Sequence, residues 1–154
     1  FGPLQNKAQY EKVLGYIEDG RRDGKIIAGG AAMEGKGYFI RPTIVRDIAD
    51  GSPLVDEEQF GPVLPLIKFS DPEDALKRAN ASEVGLGGSI WSSDLDKAYE
   101  LATRMDTGTV WINKHAELAP NIPFAGAKLS GVGTELGEEG LLEFTQSHVI
   151  NMAR

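Results

Sequence analysis

Apolar residues near the start of the chain fall at helical spacing. Tyr10, Val13, Leu14 and Ile17 occupy positions i, i+3, i+4 and i+7, one stripe of an amphipathic helix. Gly20 reads as its stop, since glycine ends helices readily. The period then changes. A short apolar run, Ile26-Ile27-Ala28, leads into a glycine-rich turn reaching Gly37, after which Tyr38-Phe39-Ile40 and Thr43-Ile44-Val45 read as strand. Pro42 between them predicts an edge or a bend, because proline has no N–H to give a ladder. Leu66-Ile67-Lys68-Phe69 is the next apolar run and a predicted strand.

Ser70-Asp71-Pro72-Glu73 is a strong helix start: Pro72 suits the first turn, and Ser70 or Asp71 can cap free N–H groups. This helix is expected to turn Ala75, Leu76 and Ala79 inward. Residues 85–91 predict a strand, and Ser93-Asp94 opens a second helix with Leu95, Ala98, Ala102 and Met105 as its buried stripe. Gly108 is expected to end it, and Val110-Trp111-Ile112 is the following strand. Alternating strands and helices at this spacing imply an α/β fold with parallel strands and right-handed crossovers. Residues 113–140 are rich in Gly, Pro and small side chains and read as a long loop, a feature usually functional or disordered. A short helix over 138–144 and an alternating strand over 147–152 close the chain.

Composition narrows the class. Among 154 residues, 41% are apolar and 25% charged, which is ordinary for a globular domain with its own core. A net charge of −7, with Lys and Arg scattered among the acids, argues against duplex nucleic acid or an anionic membrane as the main partner. No apolar run approaches the roughly 20 residues of a spanning helix, and no signal peptide is visible, so a cytoplasmic location is expected. The cysteine count is zero, which excludes disulfides, thiolate metal sites and a Cys nucleophile within these residues. Two histidines without cysteine make a poor metal site.

The densest candidate chemistry is Glu57-Glu58-Gln59-Phe60-Gly61-Pro62-Val63-Leu64-Pro65. Gly and Pro hold such a loop in a defined shape. A carboxylate fixed there can accept two hydrogen bonds at once, as a ribose diol would offer, with Phe60 as a flat apolar wall beside it. A solvated acidic loop followed by a core aromatic is the plainer reading. Other motifs fail on inspection. Gly30, four residues, then Gly35-Lys36 imitates a phosphate-binding loop, but Gly37 stands where a Ser or Thr must hold magnesium, and a hairpin is expected instead. Trp91 replaces the glycine a nucleophile elbow needs after Ser89, and Gly131-Val132-Gly133 is not completed as a dinucleotide fingerprint.

The nonapeptide resembles the E-E-x-F-G-P-x-x-P signature of NAD(P)-dependent aldehyde dehydrogenases. Three further segments resemble that family in order and spacing. They are Val84-Gly85-Leu86-Gly87-Gly88-Ser89-Ile90-Trp91 with Asp94-Leu95, Gly108-Thr109-Val110-Trp111-Ile112-Asn113, and Pro123-Phe124-Ala125-Gly126-Ala127-Lys128-Leu129-Ser130-Gly131-Val132-Gly133. The resemblance runs from about Gly2 to the C-terminus. It implies the parallel-sheet part of the catalytic (thiol) domain over 1–143 and an oligomerisation strand over 144–154 that pairs with a neighbouring subunit, hence a homo-oligomer.

In that family a thiolate attacks the aldehyde, hydride passes to the nicotinamide of NAD or NADP, and water releases the acid from a thioester. The resemblance places the catalytic cysteine, the general base and most of the dinucleotide domain upstream, and with them the contacts that choose NAD or NADP. Together with the start at Phe1-Gly2-Pro3, this predicts a C-terminal portion that is inactive alone and self-associates through uncovered apolar surface. By the same resemblance Glu58 accepts bonds from both nicotinamide-ribose hydroxyls, Phe60 packs near the nicotinamide ring, and Leu86 adds to that wall. Phe124 resembles the aromatic at the mouth of the pocket for a small aldehyde, or is a plain core residue. His115, on the same loop, lines the pocket or is a surface histidine. Ala125 and Thr134 depart from the family pattern, which has Gly and commonly Arg there. A non-catalytic binding or assembly module that keeps the fold is the alternative reading.

Overall fold

The computed structural model describes residues 1–153, which divide into two compact units, one ending at Ser70 and the other beginning at Asp71. In the first unit, helix α1 (Lys7–Asp23) starts where the Asn6 side chain accepts a hydrogen bond from the Gln9 N–H at 2.9 Å. It buries Val13, Tyr16, Ile17 and Gly20, a second i, i+3, i+4, i+7 set beside the one read from the sequence. Gly20 is therefore not the stop. A Cβ there would stand 2.9 Å from Val45 Cγ2 and 3.0 Å from Leu54 Cδ2, so the glycine admits close packing and the helix runs one turn further, to a cap at Gly24.

Strand β1 (Lys25–Ala28) pairs antiparallel with β2 (Thr43–Arg46). The glycine-rich turn joins them, so a hairpin stands where the phosphate-loop imitation lies. Tyr38 and Phe39 are not strand; only Ile40 bridges back, to Ala32. Pro42 precedes β2, which is the central strand of its sheet rather than an edge. A short helix α2 (Pro53–Asp56), unforeseen in the sequence, leads to β3 (Val63–Leu66), which pairs parallel to β2 in the register Thr43↔Val63 to Arg46↔Leu66. The strand expected over 66–69 is thus displaced toward the N-terminus. Asp47, at φ 55, turns the chain away directly after Arg46, which leaves Ile67-Lys68-Phe69 nothing on β2 to pair with. One apolar core of Val13, Tyr16, Ile17, Ile40, Val45, Ile48, Leu54 and Val63 holds α1 on this sheet.

The second unit opens with α3 (Pro72–Asn80), capped by Asp71, whose side chain accepts from the Glu73 N–H at 3.0 Å. Leu76 is buried and Ala75 half-buried, but Ala79 is exposed, contrary to expectation. Ala79 shares the face of Ala75 and Leu76 but lies in the last turn of the helix, whose end is held instead by Asn80, which donates to the Arg104 carbonyl and accepts from the Asp106 N–H. The single strand expected over 85–91 divides at Leu86 into β4 (Val84–Gly85) and β5 (Gly87–Ile90). Helix α4 (Leu95–Ala102), capped by Asp94, crosses over to β6 (Thr109–Ile112), which lies parallel to β5, so this βαβ crossover is present. Ala98 is buried and Ala102 and Met105 half-buried, yet Leu95 is 61% exposed. Its turn begins beyond the carboxyl end of β5, before the helix has crossed the strands.

Gly108 does not end α4, which finishes at Ala102. It admits a close approach instead, because a Cβ there would fall 1.7 Å from the Ala125 carbonyl oxygen. The predicted loop 113–140 contains β7 (Phe124–Ala125), β8 (Ala127–Lys128) and β9 (Thr134–Glu135), then α5 (Gly137–Leu142). Strands of two residues are too short to show a period. β8 pairs with β4 and β9 with β7, both antiparallel. The fold is mixed α/β: of the strands expected to lie parallel only β5 and β6 pair, β3 pairs parallel with β2 instead, and the ladders form four separate sheets, not one. Residues 147–152 are exposed and join no ladder among the described residues; a strand needs a partner.

Two leucine-class positions read alike in sequence separate sharply here. Ile17→Ala removes a side chain that is 1% exposed and is expected to cost about 2–5 kcal/mol. Leu95→Ala is expected to stay within about 0.5 kcal/mol. Equilibrium urea denaturation of the two variants checks both.

Candidate functional site

The acidic loop is fixed from three sides by its own unit. The Tyr16 hydroxyl, on the buried face of α1, donates to Glu57 Oε2 at 2.7 Å. Two turns earlier, Gln9 Nε2 donates to the carbonyls of Gln59 and Phe60 at 2.6 and 3.2 Å. Gln59 Nε2 in turn donates to the Val63 carbonyl at 2.8 Å, closing the loop onto β3. Gly61 completes the fit, since a Cβ there would meet Val13 Cγ2 at 2.4 Å. Any larger residue would push the loop off the helix.

That fixing leaves two side chains displayed. The Glu58 carboxylate is exposed and accepts no hydrogen bond among the described residues, whereas that of Glu57 is engaged by Tyr16. Phe60 is 75% exposed at φ 42, a left-handed conformation that costs a bulky residue about 1–3 kcal/mol. An exposed aromatic held at a strained backbone position is not core material. Lys12 lies with its Nζ 5.4 Å from the Tyr16 ring centre; its pKa is raised, chiefly by Tyr16 and further by the fields of Glu57 and Glu58.

In the second unit Trp111, on β6, is 7% exposed and acts as a platform. Its Nε1 donates to the Glu117 carbonyl at 2.9 Å. The His115 ring stands edge-on to it at 5.4 Å and the Phe124 ring lies 6.5 Å away, tilted by 36°. Asn113, at φ 54, ties the ends of β5 and β6 together by accepting from the Ser92 N–H and donating to the Ser92 carbonyl, both at 2.8 Å. An open hollow of about 370 Å³ has Leu86, Phe124, Thr134, Glu135 and Phe144 in its wall.

These segments lie in the order of one known catalytic chain, and the profile of the aldehyde dehydrogenase family matches residues 1–150. The chain belongs to the aldehyde dehydrogenase family. It is 43% identical over 152 residues to human retinaldehyde dehydrogenase 3 and 42% identical to pig mitochondrial aldehyde dehydrogenase, in each case with 98% of this chain covered. Among solved structures it resembles the NAD+ complex of a Bacillus cereus aldehyde dehydrogenase, with a TM-score of 0.86 and 40% identity over 95% of the chain. It also resembles a Mycobacterium tuberculosis aldehyde dehydrogenase complexed with NAD+, with a TM-score of 0.88 and 41% identity over the same share. The chain spans about 30% of the length of these relatives.

Within this aldehyde dehydrogenase segment, Glu58 and Phe60 come together on one loop of the first unit, and Leu86 and Phe124 in one hollow of the second. His115 shares Trp111 with Phe124 but is exposed and outside the wall of that hollow. Phe124 is half-buried, between the two readings made of it. Ala125 keeps φ out of the left-handed region and pairs with Thr134 through β7 and β9, so neither departure from the family pattern strains the backbone. Sequence reasoning missed Tyr16 and Gln9. Tyr16 was legible as the i+3 neighbour of Val13 on a stripe wider than the one first drawn; Gln9 carried no signal. No described helix is long and apolar enough to cross a membrane, and the relatives include mitochondrial enzymes.

The Tyr16 phenol is held above the usual tyrosine range, first because burial disfavours the phenolate and then because the Glu57 carboxylate accepts its proton's hydrogen bond. The folded chain therefore keeps this proton more tightly than the unfolded one. The anchor contributes fully below about pH 10 and is lost as pH rises beyond it. Tyrosinate absorbance is expected to show a late-ionising group among the four tyrosines, and Tyr16→Phe is expected to remove that group.

Proposed function

We propose that this chain serves aldehyde oxidation by NAD(P)+ within a full-length aldehyde dehydrogenase, supplying the grip on the nicotinamide ribose and part of the substrate pocket wall. The observation that carries this reading is the Glu58 carboxylate: exposed, with no hydrogen bond to it among the described residues, on a loop that α1 fixes beside it. Two free carboxylate oxygens suit the two adjacent hydroxyls of a ribose, and an exposed Phe60 suits the face of a nicotinamide ring. The bound cofactor supplies a hydride acceptor. What these residues contribute is orientation, because hydride transfer requires reacting carbons within about 3–3.5 Å in a productive geometry.

Leu86 and Phe124, with Trp111 behind Phe124, are proposed to contribute apolar wall to the cofactor and aldehyde sites, and His115 the pocket rim. With no cysteine in the chain, the nucleophile that forms the thioester comes from another part of the enzyme. Residues 144–154 are proposed to pair with a second subunit, and the enzyme to work in the cytoplasm on a small aldehyde.

Glu58→Gln tests the reading in the full-length enzyme. Replacing one charged acceptor weakens a charge-assisted bond without emptying the site, so hydride transfer is expected to slow by about tenfold while binding of the adenosine end is retained. Stopped-flow NAD(P)H formation measures the step, and an unchanged rate defeats the assignment. The isolated chain leaves Phe60, Phe69, Trp91 and Phe144 largely exposed and is expected to sediment as species larger than one chain.

A further inference from the structure

We infer that Tyr16 is a positioning residue for the cofactor site, acting through Glu57 on the direction in which Glu58 is presented. The inference rests on the reading of Glu58 as the ribose acceptor. Glu57 is extended, at φ −100 and ψ 153, and caps the end of α2, its N–H committed to the carbonyl of Pro53, the first residue of that helix. Along an extended backbone, neighbouring side chains project to opposite sides. Drawing the Glu57 side chain onto α1 therefore turns the Glu58 side chain away from it. The choice between two adjacent, chemically identical acids is made by the tyrosine, not by the acids.

The anchor has the properties such a device needs. Tyr16 is 4% exposed and sits in the core cluster with Val13 and Ile17, so its hydroxyl is placed by packing rather than by a freely rotating side chain. The bond to Glu57 is 2.7 Å, well inside the range of about 2.5–3.0 Å for an O–H donor, and charge-assisted. Gln9 secures the backbone of the next two residues and makes no hydrogen bond to either acid's side chain among the described residues, so it sets the loop's height on the helix and leaves the side-chain choice to Tyr16. Without the hydroxyl, nothing on α1 holds the Glu57 side chain, and the loop is free to turn about Glu57 and carry Glu58 with it.

The test uses the full-length enzyme, with four variants compared by stopped-flow hydride transfer, cofactor KM and thermal denaturation. Tyr16→Phe keeps the ring's packing and removes only the donor; it is expected to raise cofactor KM and slow hydride transfer by about threefold to tenfold. Glu57→Gln keeps an oxygen that accepts from the hydroxyl, and is expected to remain within about twofold of the parent. Glu57→Ala removes the acceptor at an exposed position and is expected to match Tyr16→Phe; it carries the test alone should the tyrosine variant fail to fold. A Tyr16→Phe enzyme that loses thermal stability but keeps its hydride rate and KM, beside a slow Glu58→Gln enzyme, overturns the positioning role and leaves the Glu58 reading standing. An unchanged Glu58→Gln enzyme removes both.

Discussion

A loop takes on the rigidity of a helix only through contacts it cannot slide along, and here α1 supplies three of different kinds. The Tyr16 hydroxyl fixes a side chain, the Gln9 amide fixes two carbonyls, and the Val13 methyls exclude any Cβ at residue 61. A hydrogen bond alone is worth roughly 1 kcal/mol net, too little to hold an aromatic at φ 42 against about 1–3 kcal/mol of backbone strain. Three contacts to one buried face are of the right size to do so. The core of the first unit therefore has a second consequence besides stability, since the residues that bury α1 also set where Glu58 and Phe60 are displayed.

The second unit solves a related problem with glycines instead of hydrogen bonds. Gly108 admits the Ala125 carbonyl, Gly87 admits the Trp111 ring, and Gly88 admits the Met105 sulfur. Each removes a Cβ where another group must pass. The β7 backbone is thereby brought against the start of β6, with Phe124 beside Trp111. Lys128 finishes the arrangement: its ammonium donates to the Asn80 and Ser82 carbonyls and pairs with Asp106 at 3.2 Å, tying the end of α3 to β8. The cation replaces a chain of apolar contacts that such small residues cannot make.

Elements whose signal is local were legible in the sequence. Asp71 and Asp94 announced their helices because a cap needs only its next few residues, and the crossover from β5 to β6 followed from strand and helix lengths. What failed depended on distant partners. β3 lies earlier than its most apolar run because its register is set by β2, and β2 stops at the left-handed Asp47. Gly20 looked like a stop because its true reason, the side chains of Val45 and Leu54, lies on other elements. The candidate site divides the same way. Glu58 and Phe60 were readable from the motif they share, but Tyr16 and Gln9, which hold them, are separated from the loop by forty to fifty residues.

The two acids of the loop carry this contrast furthest. In the sequence Glu57 and Glu58 are equivalent, and resemblance to a family motif ranks them without giving a cause. In the structure they differ: one carboxylate accepts from a phenol that burial helps keep protonated, and the other accepts no hydrogen bond among the described residues. A phenol suits that task because its proton stays in place throughout the neutral range, whereas a histidine at the same place would change its charge, and so the strength of its bond to Glu57, within it. The ring also contributes apolar area to the core, so the group that fixes the loop is itself fixed by the hydrophobic burial of α1. Replacing the pair by two apolar side chains would preserve the helix and its packing, yet it would leave the loop free to turn about Glu57. The polar contact thus contributes direction where apolar burial contributes only adhesion.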